Sequence, residues 1–427
     1  MSPLKKFCRG LERTGKVGYG QSMREIYLDW AASALPDREA HKAGLEGALK
    51  NFGNPSSPHR CGRRAAEALE ECRRSLAENL GIEDRQLIFT SGGTESNNLI
   101  FNSLLLNRRA GREASSGTED GPPLVVLSGY EHPSVWEPAR LLSQAGFRVL
   151  TVDLGKDGRF DLTKLRGALE QNPVLVSVMG VNNETGLRSP LGEIGALIRE
   201  KERGRRIFFH SDLVQAWGGE RPGLKSWDLD AASFSGHKLG APKGTGLLYL
   251  RAPEPRLNRG GGQEQGVRSG TENLPGALAL AEAVRRRSAG LEADIKKAGE
   301  IKYFFIEGLT LMGASLSAPI AALTGKDYSP WILWASFPPL PGEVLARALD
   351  DRSVRVSTGS ACASRGPRNY RVTRALGIPD ELAFSALRLS WGPETREEEA
   401  LAFLLILKKT LRALAIPLKP PAAGAIK

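Results

Sequence analysis

The stretch Ser233-Phe234-Ser235-Gly236-His237-Lys238-Leu239-Gly240-Ala241-Pro242-Lys243-Gly244-Thr245-Gly246 joins the apolar run 231–234 to a second apolar run, 247–250. Lys238 sits between hydroxyl, imidazole and glycine neighbours, in a segment that reads as the edge of a buried sheet. Lysine is costly to bury because its charge loses hydration. A lysine pushed by desolvation toward its neutral amine is a candidate for a Schiff base. A surface lysine on a glycine-rich hairpin reads equally well here, so other parts of the chain must decide.

Outward from that stretch a pattern repeats. The apolar run 124–127 leads to Glu131-His132-Pro133, and the run 174–181 leads to Asn182-Asn183-Glu184. The run 207–209 ends in His210-Ser211-Asp212, with Gln215 one helical step on. Helix-like segments, such as 138–145 and 194–202, lie between these runs. Such alternation predicts an α/β fold with a mostly parallel sheet covered on both faces. Ligands bind such sheets at the carboxyl ends of the strands. Those ends carry His132, Asn183, Asp212 and Lys238. One such residue is an ordinary turn former; four at one edge are hard to explain as caps.

Upstream, the strand-like 86–90 is followed by Ser91-Gly92-Gly93-Thr94-Glu95-Ser96 and a helical segment, 97–106. A glycine turn that opens a helix is an anion site, because free backbone N–H groups and the helix dipole point at it. No Gly-Lys-Ser/Thr follows, so it is not a Walker loop. Residues 64–80 read as an amphipathic helix with Cys72 on its core face. Residues 260–271 read as a flexible loop, and 275–311 as a long helical connection. Strand-like 331–337, 354–356 and 387–391 alternate with helical 342–349 and 397–414. The expected organisation is a basic extension over 1–24, possible disorder included, a large domain over 25–275 and a smaller α/β domain over 276–427.

Composition narrows the function. At 427 residues, with 41% apolar and 25% charged, the chain suits a soluble globular protein with a large core. A net charge of +11 would suit nucleic acid or an acidic partner. The basic residues are dispersed, however, and pairs such as Arg63-Arg64, Arg73-Arg74 and Lys408-Lys409 read as solvated helix faces. No aromatic-studded basic stripe accompanies them, so direct nucleic-acid binding is not expected. The cysteines Cys8, Cys61, Cys72 and Cys362 form no disulfide framework, and His59-x-Cys61 lacks a second half for a metal site. The apolar run 401–407 is too short to span a bilayer, and the N-terminus has no secretory signal. A reducing, cytoplasmic setting is the expectation. Cys362 has small neighbours and lies near Arg355, Arg365, Arg368 and Arg371, which favours its thiolate. The alternative is a loop thiol of no consequence.

Six motifs occur in order: Ser91-Gly92-Gly93-Thr94-Glu95-Ser96-Asn97-Asn98, Glu131-His132-Pro133, Val181-Asn182-Asn183-Glu184-Thr185-Gly186, Ser235-Gly236-His237-Lys238, Arg268-Ser269-Gly270-Thr271-Glu272-Asn273 and Gly359-Ser360-Ala361-Cys362. Together they resemble the cysteine desulfurases of the class V aminotransferase group, which are fold-type I pyridoxal phosphate enzymes. The match spans about residues 26–414. It implies a large domain with a seven-stranded-type sheet, a small domain that carries the cysteine loop, and some N-terminal residues packed on the latter.

Carried over, the resemblance makes Lys238 the residue that binds pyridoxal phosphate covalently, with Lys243 its competitor in the same loop. His132 stacks on the ring and shuttles a proton, Asp212 pairs with the ring nitrogen, and Gln215 and Asn183 contact the phenolic oxygen. Gly93, Thr94, Ser235 and His237 hold the phosphate, and Thr271 reaches the phosphate of a neighbouring subunit, implying a homodimer. Arg388, with Asn183, takes the substrate carboxylate. Cys362 collects sulfur from L-cysteine as a persulfide, releases alanine, and passes the sulfur to an acceptor protein, either an iron–sulfur scaffold or a tRNA-thiolation factor. The length after Cys362 resembles the long-loop subgroup. Trp30, Pro393 and the basic segment Arg365-Gly366-Pro367-Arg368 depart from the family pattern, and the last suggests an acceptor with an acidic face. A selenocysteine lyase and a non-catalytic scaffold that binds acceptors are the competing readings.

Overall fold

The computed structural model describes residues 25–109 (side chains 107–109 excepted), 121–155, 158–202, 204, 206–252, 260–358 and 370–414. They divide into two compact units. One comprises Ser33–Asn182 and Arg188–Leu291 and is built on a seven-stranded sheet. Its strands are β1 (Leu87–Thr90), β2 (Leu124–Ser128), β3 (Arg148–Val152), β4 (Leu175–Ser177), β5 (Phe208–Asp212), β6 (Ala231–Ser235) and β7 (Gly246–Leu250).

Their spatial order is β1-β7-β6-β5-β4-β2-β3. Only β7 runs against its neighbours; the β2–β3, β2–β4, β4–β5 and β5–β6 pairs are parallel. The expected mostly parallel α/β sheet is therefore present. The strands β2, β6 and β7 are buried along their whole length, which is why they read as unbroken apolar or small-residue runs. Because β7 opposes both β1 and β6, those two run the same way. Thr90, Gly246 and Ser235 stand side by side at the edge where β5 also ends, in Asp212.

Leu99, Phe101 and Leu104 of helix Gly93–Arg109 and Val135, Ala139 and Leu142 of helix Pro133–Gln144 pack on Val125, Leu127, Leu248 and Leu250. Helix Leu274–Ala289 packs on helix Arg38–Lys50 so closely that a Cβ on Gly44 would lie 2.7 Å from the Pro275 carbonyl. That contact is the reason Leu274–Ala289 falls within this unit and not after a boundary at 275.

The second unit comprises, among described residues, 25–32, Asn183–Leu187 and 292–414. Its antiparallel sheet aligns Ser315–Leu316, Ile332–Ser336 and Ala386–Ser390, and Ile26–Tyr27 pairs in parallel with Val354–Arg355. Phe305 packs on Trp391 and Phe403. Trp30 covers Gly392, where any Cβ would collide with the indole. The two positions are thus matched in shape.

Two expectations need correction. Arg73 does not belong to a solvated face: it is 6% exposed and forks onto Glu264, itself 5% exposed, through Nη1 at 2.8 Å and Nη2 at 2.7 Å. The segment around Glu264 is therefore pinned, with a 3-10 turn at Glu264–Gly266, and does not form a uniformly flexible loop. Arg74, its neighbour, is exposed as expected. Cys72 is buried, and its thiol is pushed up to about 11, chiefly by burial, in keeping with a core role. Among the described residues no helix is long and apolar enough to cross a membrane. The extension 1–24 and Cys362 with its loop lie outside the described residues.

Candidate active site

The first component is the turn between β1 and helix Gly93–Arg109. Gly92 has φ +152°, a conformation side chains rarely adopt. A Cβ on Gly246 would lie 2.4 Å from the Gly92 Cα, and one on Gly93 would lie 2.4 Å from Val214 Cγ2. The turn is therefore pressed against β7 and against the residue two places after Asp212. Ser96 locks the helix start through its hydroxyl, which donates to the Leu247 carbonyl at 3.0 Å. Gly93 is buried and Thr94 exposed at the start of the helix, whose first amides are suited to an anion. Glu95 closes the turn by accepting from the Ser91 amide and from Arg268 Nε at 3.0 Å. Burial pushes its carboxyl up, but the bonds from Ser91 and Arg268 outweigh burial and hold it below its ordinary value.

The second component centres on Asp212 at the end of β5, 4% exposed. Its Oδ1 accepts from the Val214 amide at 3.0 Å and its Oδ2 from Asn97 Nδ2 at 2.8 Å. Asn97 Nδ2 also donates to Ser134 Oγ at 2.8 Å, and that hydroxyl lies 2.8 Å from His132 Nδ1. His132 caps helix Pro133–Gln144, since Nδ1 accepts from the Ser134 amide at 3.1 Å. A nitrogen that accepts cannot carry the proton, so the neutral ring is protonated at Nε2.

Lys238 closes the 3-10 turn Gly236–Lys238 directly after β6 and is half-buried; Lys243 is exposed. Lys238 is thus the more enclosed of the two lysines. His237 lies beside Ser33, Nδ1 to Oγ 3.3 Å, and its carbonyl accepts from the Ala34 amide. Burial, reinforced by Lys238 and Lys243, lowers the His237 imidazole to about 4. It is neutral at physiological pH and can donate one N–H to an anion. Gln215 is half-buried just past β5, and Ser235 ends β6. Thr271 is exposed on the loop before helix Leu274–Ala289, apart from these hydrogen bonds.

The remaining described residues of interest lie in the other unit. Arg388, on strand Ala386–Ser390 and 3% exposed, donates to Asp29 Oδ1 at 2.7 Å and to the Asn183 carbonyl at 3.0 Å. Its Nε is buried with no partner among the described residues. Burial pushes the Glu184 carboxyl up to about 7 against the pull of Arg388 and Arg371. Arg355, one of the cations expected near Cys362, is paired with Glu25 and Asp350.

Sequence reasoning passed over Asn97, Ser134 and Asp29 as site residues. Asn97 and Ser134 look like ordinary polar residues of helix first turns, and nothing in their spacing announces burial. Taken together, the glycine-lined turn for a phosphate, the Asp212 carboxylate for a ring nitrogen and Lys238 for covalent attachment fit pyridoxal phosphate.

Comparison with known proteins covers nearly the whole chain. The sequence profile of the family described as aminotransferase class-V matches residues 26–403. The chain is similar to the cysteine desulfurase IscS of Dictyoglomus turgidum, with 32% identity covering 92% of this chain and 95% of the relative. It is similar to the human cysteine desulfurase, with 34% identity over 89% of this chain and 80% of the relative. A solved structure of a NifS-like protein superposes with a TM-score of 0.80 at 30% identity, covering 92% of this chain and all of the other.

Proposed function

The chain belongs to the aminotransferase class-V family, within its cysteine desulfurases, and from that premise we propose that it moves sulfur from L-cysteine through Cys362 to an acceptor protein. The observation that carries this reading is the convergence of the Gly92-Gly93 turn, Asp212, Ser235 and Lys238 at one edge of the sheet. Enzymes of this family use pyridoxal phosphate, whose ring, when bound, takes up the electron pair released at the substrate Cα.

The protein's own residues do the rest. Gly93, Thr94, Ser235 and His237 bind the phosphate, Asp212 pairs with the ring nitrogen, and Gln215 and Asn183 orient the phenolic oxygen. Lys238 would hold the cofactor covalently; its Nζ accepts the Cα proton and returns it to Cα after the sulfur has left. Arg388 forks onto the substrate carboxylate, a task for which the planar guanidinium is suited. Cys362 Sγ, as thiolate, attacks the substrate sulfur; the Cβ–S bond breaks, its electron pair goes to Cβ, and Cβ takes a proton, which His132 supplies. A persulfide on Cys362 and alanine result, and the outer sulfur passes to an acceptor with an acidic face that meets Arg365 and Arg368. Iron–sulfur assembly or tRNA thiolation is the destination. The exposure of Thr271 suits a homodimer in which it reaches the partner subunit's phosphate, and a reducing cytoplasm keeps Cys362 as a thiol.

The test uses the purified full chain with pyridoxal phosphate and L-cysteine, with selenocysteine in parallel. The unmodified protein and Lys243→Ala turn yellow and release alanine from cysteine. Lys238→Ala loses the bound colour, and Cys362→Ser keeps the colour but releases no alanine. A colourless unmodified protein, or full activity in Cys362→Ser, overturns the reading.

A further inference from the structure

Asn97 is fully buried on helix Gly93–Arg109, whereas Thr94 on the same helix is exposed. A side-chain amide has two N–H donors on one nitrogen. Here Nδ2 spends one on Asp212 Oδ2 and the other on Ser134 Oγ, both at 2.8 Å. Only the amide nitrogen can face the carboxylate, which fixes the orientation of the amide. The Ser134 hydroxyl, having accepted from Asn97, directs its own proton to His132 Nδ1 at 2.8 Å. The donors therefore run one way, from Asn97 to Ser134 to His132. The second Asp212 oxygen is held by the Val214 amide at 3.0 Å, so the carboxylate cannot turn without breaking both bonds. Buried hydrogen-bond chains of this kind polarise their members and rigidify the groups they join.

Within the desulfurase reading just given, we propose that Asn97 is a positioning residue that ties Asp212 to His132 through Ser134, setting the carboxylate orientation and the hydroxyl hydrogen bond at His132 Nδ1 as one unit. On this reading Asn97 acts through Asp212 and His132. Aspartate at 97 would set two carboxylates against each other, and leucine would leave the Asp212 and Ser134 oxygens without their donor.

The link is read directly by nitrogen NMR of the protein labelled in its histidine rings, with or without cofactor. In the unmodified protein the His132 ring shows a protonated Nε2 and a hydrogen-bonded, unprotonated Nδ1. In Asn97→Ala and in Ser134→Ala the Nδ1 signal moves in the same direction, the double variant moves no further than Ser134→Ala, and Ser134→Thr retains the original position. Asn97→Ser, too short to reach both partners, serves if Asn97→Ala does not fold. Loss of the donor to Asp212 also weakens pyridoxal phosphate binding about tenfold, measured as a dissociation constant on the same variants. A His132 signal that moves in Ser134→Ala but stays in place in the variants at 97 overturns the inference. An unmodified protein that binds no pyridoxal phosphate overturns the proposed function, while the ring signals still decide the link.

Discussion

Arg388 donates from Nη2 to Asp29 Oδ1 at 2.7 Å, so the guanidinium assigned to the substrate carboxylate already has a carboxylate of its own. Asp29 offsets a charge that is nearly fully buried, and the Asn183 carbonyl takes Nη1. In the proposed desulfurase, substrate shares this fork. Arg388→Lys keeps the charge but loses the two-pronged geometry, so KM for L-cysteine should rise by about tenfold or more while the protein stays folded. Asp29→Asn keeps an acceptor and removes the competing charge, so KM should hold or fall while the melting temperature drops. Steady-state kinetics on the two variants check this; an unchanged KM in Arg388→Lys removes Arg388 from substrate binding.

Arg73 and Glu264 make the most enclosed ion pair among the described residues, completed by the Leu87 carbonyl and the Phe89 amide. Glu264 holds this place at φ +48°, a left-handed conformation that a non-glycine residue adopts only when its surroundings impose it. Glu264→Gln removes the buried countercharge and leaves the Arg73 guanidinium only the half-exposed Glu70 at 3.1 Å, which should cost about 3 kcal/mol. Arg74→Ala, one residue away on the exposed side, should change stability by less than about 0.5 kcal/mol. Urea unfolding midpoints compare the two, and equal values would mean that the pair contributes no more than a surface contact.

The contrast between Arg73 and Arg74 also marks what could be read in the chain. Unbroken apolar runs located β2, β5, β6 and β7, and the polar residues after them marked the candidate binding edge, because side-chain period and strand burial are linked. The edge strand β3 escaped notice: it is only partly buried and carries Arg148 and Thr151, so its pattern is weak. Helix Arg38–Lys50 escaped too, since it buries little besides Ala40 and Gly44. Motif resemblance supplied most of the candidate site, but Asn97, Ser134, Asp29 and Glu264 act through partners distant in the sequence. For Asn97 that partner is Asp212, and for Glu264 it is Arg73. Burial of a polar side chain is settled by tertiary packing, which single-sequence patterns do not carry.

Glu184 gives a prediction with a defined pH window. Burial raises its carboxyl from an ordinary 4.5 to about 7, and the charges of Arg388 and Arg371 recover only part of the shift. The folded protein therefore holds a proton on Glu184 over a range in which the unfolded chain has released it. Stability depends on pH through the difference in bound protons, so it falls wherever the folded state binds more of them. The contribution of Glu184 is complete below pH 4.5, is lost as pH rises toward about 7, and is absent above that. Glu184→Gln mimics the protonated form at every pH. Its urea midpoint relative to the unmodified protein should climb between pH 4.5 and about 7 and then level off. A difference that stays flat across the same window would mean that Glu184 is already ionised in the folded protein and paired with its arginines.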